Sequence, residues 1–311
     1  MPGRSAVENA GAMDAWIAIT IAAAAAQTLR FMAQKHLKAT ALSTGGATLA
    51  RFLYSAPLAT ALVTGYAASR GYRAPEFAPA FWAYALTGGL AQILATMCVV
   101  ALFQHRNFAV GITFKKTEVI LTAIVGFVIL GDHVSAIGAV ALALGLIGVL
   151  WLSDPPGGQG GIGRFFNLAA GLGLLSGLLF AVSGVGYRGA VLAVDGGDTA
   201  FRAGVSLAIV TISQTLALGL WLFWREPGQV LAVLRHWRVA GLVGILSMIG
   251  SFCWFAAFSL QSAAYVFAVG QIELIFSLLI AVFVFKERVT RKELIGMSVV
   301  TLSIIVLVAA V

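Results

Sequence analysis

The stretch Ser153-Asp-Pro-Pro-Gly-Gly-Gln-Gly-Gly-Ile-Gly163 decides how this chain is read. Proline and glycine at that density cannot continue a helix, so residues 153–165 form a linker. On each side of it lie five apolar runs, separated by polar residues, glycine or proline. Before the linker they cover roughly 15–36, 43–68, 78–103, 108–130 and 134–152. After it they cover roughly 166–190, 198–224, 237–259, 263–285 and 289–311. Each approaches the 20 or so apolar residues a helix needs to cross a bilayer. The runs are continuously apolar rather than alternating, which excludes a transmembrane β-barrel. The expected fold is an all-α membrane protein of ten transmembrane helices: a tail (1–14), a first unit (15–152), the linker and a second unit (166–311).

Composition agrees. Of 311 residues, 60% are hydrophobic and 10% charged, whereas a soluble domain carries about 25% charge. That excludes a water-soluble globule, a disordered chain and a disulfide scaffold. The net charge of +8 comes from basic residues scattered singly near the ends of the runs. Lipid headgroups, not nucleic acid, are the expected partner of such a pattern. Cys98 and Cys253 fall inside apolar runs and read as small buried hydrophobes. Trp16 to Ala26 has the look of a signal-peptide core, but Glu8 and Asp14 outweigh Arg4 before it, opposite to the charge of a signal peptide.

The two units repeat each other. At an offset of 155 residues Trp82 meets Trp237, Cys98 meets Cys253, Phe103 meets Phe258 and Glu118 meets Glu273. At an offset of 151, Gly45-Gly46 meets Gly196-Gly197 and Arg51 meets Arg202. Tryptophan, cysteine, glutamate and arginine do not fall into fixed register by chance in alanine-rich helices. A unit of five spans enters on one face of the membrane and leaves on the other, so its copy must run inverted. Inverted repeats are an architecture of secondary transporters, with the substrate site at the repeat interface.

Ionisable residues in mid-membrane cost at least about 2.5 kcal/mol and mark candidate sites. Glu118 and Glu273 lie at matching depths of spans four and nine. These are the candidate coupling carboxylates. Lys115 lies one turn before Glu118; Lys116 points about 100° away from Lys115 and, across the pseudo-axis, is expected to reach Glu273 when no substrate is bound. Gly270 stands where Lys115 would be in the second copy, so Glu273 lacks a cation on its own helix and is the expected proton-binding group. Candidate substrate contacts are Arg30, Gln34, Gln92, Lys115, Lys116, Tyr187, Trp254 and Gln271. Most lie on polar or aromatic stripes at helical spacing: Thr20, Gln27, Arg30 and Gln34 in span one; Gln92, Thr96 and Phe103 in span three; Ser176, Phe180, Ser183 and Tyr187 in span six; Ser247, Ser251, Trp254 and Phe258 in span eight. Arg51 and Arg202, in the first turns of spans two and seven, have an even choice between cavity and snorkelling to the interface. Spans five and ten carry small residues (Gly138, Ala141, Gly145, Gly148; Gly296, Ser303) and read as scaffold or as the face of a homodimer. No H-E-x-x-H, P-loop, G-x-S-x-G or paired-cysteine motif is present, so no enzyme, metal or cofactor is expected.

Span four ends in Gly131-Asp132 and span nine in Lys286-Glu287, followed by Ile137-Gly138-Ala139 and Ile295-Gly296-Met297 in the last span of each unit. With the arginines of spans two and seven, this pattern resembles the EamA-type branch of the drug/metabolite transporter superfamily. The resemblance implies a secondary carrier in the cytoplasmic (inner) membrane, with cytoplasmic termini; many such carriers export amino acids and other small metabolites. The charge distribution argues for the opposite orientation: Arg4, Arg70, Arg73 and Arg188 fall on one face, and a larger basic set, from Lys35 to Lys292, on the other. Family members often carry a proline midway along the fourth helix of each unit, where this chain has Thr117-Glu118 and Ile272-Glu273. The expected function is proton-coupled transport, in the export direction, of a small metabolite bearing a carboxylate, because basic groups outnumber acidic ones in the spans. The alternatives are a multidrug or lipophilic-cation exporter, which the lysines and Arg30 disfavour, and a lipid-handling membrane protein without transport activity.

Overall fold

The computed structural model describes residues 3–40, 42–102, 115–152, 168–283 and 291–309. The linker 153–165, Phe103 and the Lys286-Glu287 pair lie outside the described residues. The helices are α1 (Gly3–Thr40), α2 (Thr44–Arg70), α3 (Pro79–Leu102), α4 (Glu118–Leu130), α5 (Ala136–Leu152), α6 (Leu168–Leu192), α7 (Thr199–Arg225), α8 (Gln229–Arg235), α9 (Trp237–Leu260), α10 (Ala263–Gly270), α11 (Glu273–Phe283) and α12 (Arg291–Ala309). Among the described residues there is no strand, only an isolated antiparallel bridge between Phe77 and Val194. Among the described residues, five helices are long and apolar enough to cross a membrane, and shorter apolar helices accompany them.

Among the described residues the apolar runs are helical, with three differences from the expected pattern. Helix α1 begins at Gly3, well before the first apolar run. The short α8 lies between α7 and α9, in a segment without a long apolar run. Spans four and nine are not continuous. Lys116-Thr117 and Gln271-Ile272 form turns, and α4 and α11 each start on a glutamate. These turns correspond at the offset of 155. The break thus comes where the family pattern would put proline, although this chain has none there.

Packing between the units is reciprocal. Helix α3 packs on α6, and α1 on α9; α4 packs on α6, and α1 on α10 and α11; α2 packs on α7, and α5 on α12. Contacts between loops fall into two groups. In one, Phe77 bridges Val194, Tyr66 and Tyr72 bond Asp198, and Arg188 bonds Asp132. In the other, Ser43 N donates to Gln229 Oε1 at 2.9 Å and the Tyr54 hydroxyl donates to Val233 O. Helices α2 and α7, each 27 residues and so about 40 Å long, separate the two groups. Exposed Trp82 lies near the first group, and exposed Trp224 and Trp237 near the second. Aromatics at both ends of an apolar surface suit the two membrane–water interfaces.

The glycine faces of α5 and α12 meet each other. Ser303 Oγ donates to Ala141 O at 2.7 Å. A Cβ on Gly148 would come within 3.0 Å of the Val300 backbone nitrogen and of both flanking valine side chains. The small residues read as scaffold or as a homodimer face thus pack on each other inside the chain, because they let these helices approach closely. Gly148→Leu should cost about 1–3 kcal/mol by overpacking. A lowered thermal unfolding temperature in detergent checks this, with unchanged stability counting against so tight a contact.

Candidate functional site

Four buried cations and two carboxylates gather where α1, α2, α4, α9 and α11 meet. Arg30, Arg51, Lys115, Lys116 and Glu118 are each at most 5% exposed. Glu273 is partly buried. Lys115 Nζ lies 2.9 Å from Glu118 Oε1, the one-turn pair read from the sequence, and stands 5.0 Å over the Phe180 ring. Helix α6 comes close enough to hold this turn only because residue 177 is glycine, whose Cβ would lie 2.9 Å from Lys115 O.

Glu273 is met by Lys116 from across the molecule, the contact expected from the sequence. Gln27 Nε2 donates to Glu273 Oε2 at 2.9 Å, and Lys116 Nζ lies 3.3 Å from the same oxygen. The cation missing from its own helix arrives from the first unit. From Glu273 the contacts continue. Arg30 Nη2 donates to Gln27 Oε1 at 3.5 Å and Arg30 Nη1 to Gln34 Oε1 at 2.5 Å; Gln34 Nε2 donates to Ala47 O at 3.0 Å. One polar chain therefore links Lys116, Glu273, Gln27, Arg30 and Gln34 to the backbone of α2. Both glutamates occupy first turns, where the exposed N–H groups of a helix start favour negative charge.

Arg51 points inward rather than to the interface. Its Nε donates to Ser247 Oγ at 3.1 Å, Nη1 to Thr96 Oγ1 at 3.0 Å and Nη2 to Ser251 Oγ at 3.4 Å. Every partner is a neutral hydroxyl. One turn along α3 from Thr96, Gln92 Oε1 accepts from the Tyr187 hydroxyl at 2.8 Å and from Gln214 Nε2 at 3.1 Å. Tyr187 also stacks on Phe255, with ring centroids 4.4 Å apart. The Gln92 and Tyr187 polar groups are thus engaged with each other in this conformation. Trp254 packs with Phe258 and Phe267 against Gly270, and among the described residues its buried Nε1 has no partner, nor has Gln271 Oε1. An unmatched donor and acceptor buried this way favour a ligand that satisfies them.

The candidate residues fall into four groups: Arg30, Gln34 and Lys116 with Glu273; Lys115 with Glu118; Gln92 with Tyr187; and Trp254 beside the Gly270-Gln271 turn. Sequence reading did not single out Gln214, although a lone amide in an apolar span was a signal. It also passed over Arg188, which bonds Asp132 through Nε at 3.0 Å and the carbonyls of Phe258 and Gln261 at 2.7 Å each. That arginine ties the end of α4 to the end of α9, where a cation suits the helix C-terminus. Nearby, burial works against the charge of Asp198, but hydrogen bonds from Tyr66, the Phe201 N–H and Tyr72 outweigh it and hold the carboxyl below its ordinary range. Among the described residues no group of histidine, cysteine and carboxylate side chains is placed to hold a metal.

Long apolar helices around a buried cluster of charges define a multi-pass membrane protein. Residues 167–309 match the model of the EamA-like transporter family, and the resemblance read from the sequence holds. That family is one of membrane transporters. No curated protein matches the chain. A solved crystal structure of a protein superposes with a TM-score of 0.71 at 14% identity, covering 97% of this chain and 99% of that chain. That likeness is one of fold.

Proposed function

We propose that this protein is a secondary-active, proton-coupled transporter of a small anionic metabolite. It works by alternating access between two inverted five-span units, as an exporter in the cytoplasmic membrane. The observation that carries the proposal is the chain Lys116–Glu273–Gln27–Arg30. It joins a titratable carboxylate to a buried guanidinium across the two units. An anion arriving between Lys116 and Arg30 takes the lysine from Glu273, which can then accept a proton. Anion binding and protonation therefore favour each other, so the anion and the proton move together, and export runs down the substrate's own outward gradient.

Inversion has support in the loop contacts. The ends of α2, α4, α6 and α9 meet on one side, and the ends of α1 and α7 on the other. Helix α1 therefore runs toward one side and α6 toward the other. The reciprocal pairing of helices is what a pseudo-two-fold axis generates. Arg30 and Arg51 disfavour lipophilic cations, which they repel. The test is uptake in proteoliposomes with an imposed pH gradient and a panel of carboxylates. Accumulation of at least one of them against its gradient supports the reading, and absence of flux for all overturns it.

Arg188 and Asp132 close one side across the two units. With Cys98 and Cys253 replaced, Arg30→Cys should react with a water-soluble thiol reagent. Adding Arg188→Gln should raise the rate several-fold, because the closure loses its bonds to Asp132 and two carbonyls. Full protection of position 30 in every condition counts against a water-accessible cavity there.

A further inference from the structure

We infer that the site takes a dianion: a small metabolite with two separated anionic groups, such as two carboxylates. This rests on the transport reading above and narrows it. The starting point is how the four buried cations are partnered. Lys115 and Lys116 each have a carboxylate, Glu118 and Glu273. Among the described residues, neither Arg30 nor Arg51 has a carboxylate in contact; Glu273 acts on Arg30 only at a distance, across Gln27. Arg30 is held by two amide oxygens and lies 4.2 Å from the centroid of the Phe31 ring. Arg51 is held by three hydroxyls and faces the Phe52 ring at 5.3 Å.

Neutral partners fix the direction of a guanidinium without cancelling its charge. Two such groups, 2% and 3% exposed, leave two positive charges buried in an apolar bundle. Uncompensated buried charge is costly, so it persists where a bound counter-charge repays it part of the time. The two arginines are neighbours. Gln34, bonded to Arg30, donates to Ala47 O, and Arg51 lies one turn further along α2. The α9 residues that hold Arg51 flank Gly250, where a Cβ would touch Ala26 Cβ at 3.3 Å, just before Gln27. Arg30 and Arg51 thus lie on neighbouring helices, close enough for their charges to act on each other, each with planar N–H groups suited to an oxyanion. A monoanion cancels one of the two charges. A zwitterion brings an ammonium into a site whose carboxylates already hold lysines.

The test is isothermal titration of the purified protein with α,ω-dicarboxylates from malonate to adipate. Each is compared with the monocarboxylate and the ω-amino acid of equal chain length. At least one dicarboxylate should bind about tenfold or more tightly than both matched compounds, the scale of one buried charge pair. Arg51→Gln should bring that ratio to threefold or less by weakening the dicarboxylate alone, and Arg51→Lys should restore part of it. Equal or weaker binding of every dicarboxylate overturns the inference in the wild-type protein, whatever the variants do. A ratio that Arg51→Gln leaves unchanged also overturns it. Flux separates the two readings. Transport of a monocarboxylate without dicarboxylate binding removes the dianion and keeps the transporter. Dicarboxylate binding without flux of any anion does the reverse.

Discussion

Glu273→Gln should abolish the response of uptake to a pH gradient while leaving exchange at equal pH within about threefold of wild type. A one-proton carrier in a gradient of one pH unit accumulates substrate about tenfold, because one pH unit corresponds to a tenfold change in proton activity. The variant should only equilibrate it. Glu273 is the titratable acid in the chain that runs from Lys116 to Gln34. A carboxamide has the same shape and keeps an oxygen for Lys116, so the turn before α11 should survive. It removes the negative charge that competes with substrate for Lys116 and Arg30. Anion binding should therefore hold or tighten, which no simple folding defect would produce. The check is paired: accumulation after a pH jump in proteoliposomes, and counterflow at uniform pH. If Glu273→Gln still concentrates substrate when only a pH gradient is imposed, coupling lies elsewhere and the carboxylate is a counter-ion for Lys116.

Much of the scaffold is legible because the bilayer demands long apolar runs, and these are visible residue by residue. The breaks at Lys116-Thr117 and Gln271-Ile272 are not. Neither has a proline, and only Gly270 hints at one of them. The turns are held by neighbours: α6 against Lys115 through Gly177, and Trp254 against Gly270. Pairing within a helix was readable, as Lys115 and Glu118 show. Lys116 with Glu273 was readable too, because the repeat sets the two glutamates at one depth; the amide of Gln27 on the same carboxylate was not. Arg51 illustrates the limit best. Its place in the first turns of α2 suits snorkelling equally well. What turns it inward is three hydroxyls on α3 and α9, far away in sequence. The closure at Arg188 rests on backbone carbonyls, which no side-chain pattern records.

Glu118→Gln should be the most destabilising single change at the site, lowering stability by about 3–5 kcal/mol, the usual result of removing one partner from a buried ion pair. Lys115 is 3% exposed and Glu118 5%, with 2.9 Å between the charged atoms. An amide leaves the ammonium with a weak acceptor and no counter-charge, deep among α4 and α6. The loss should come from that stranded charge rather than from any contact special to the glutamate. Replacing both partners with apolar residues of similar size, Lys115→Met with Glu118→Leu, should therefore recover most of the stability. It should fall short of wild type by about 0.3–1 kcal/mol, since the start of α4 loses a favourable acid in its first turn. Thermal unfolding in detergent measures all three proteins. The same double variant should keep its response to a pH gradient, because Glu273 retains Lys116 and Gln27. Were Glu118→Gln to unfold like wild type yet lose transport, or the double variant to lose coupling with its stability restored, the two glutamates would share the proton-coupling role, and the division between a structural pair and a titrating carboxylate would fall.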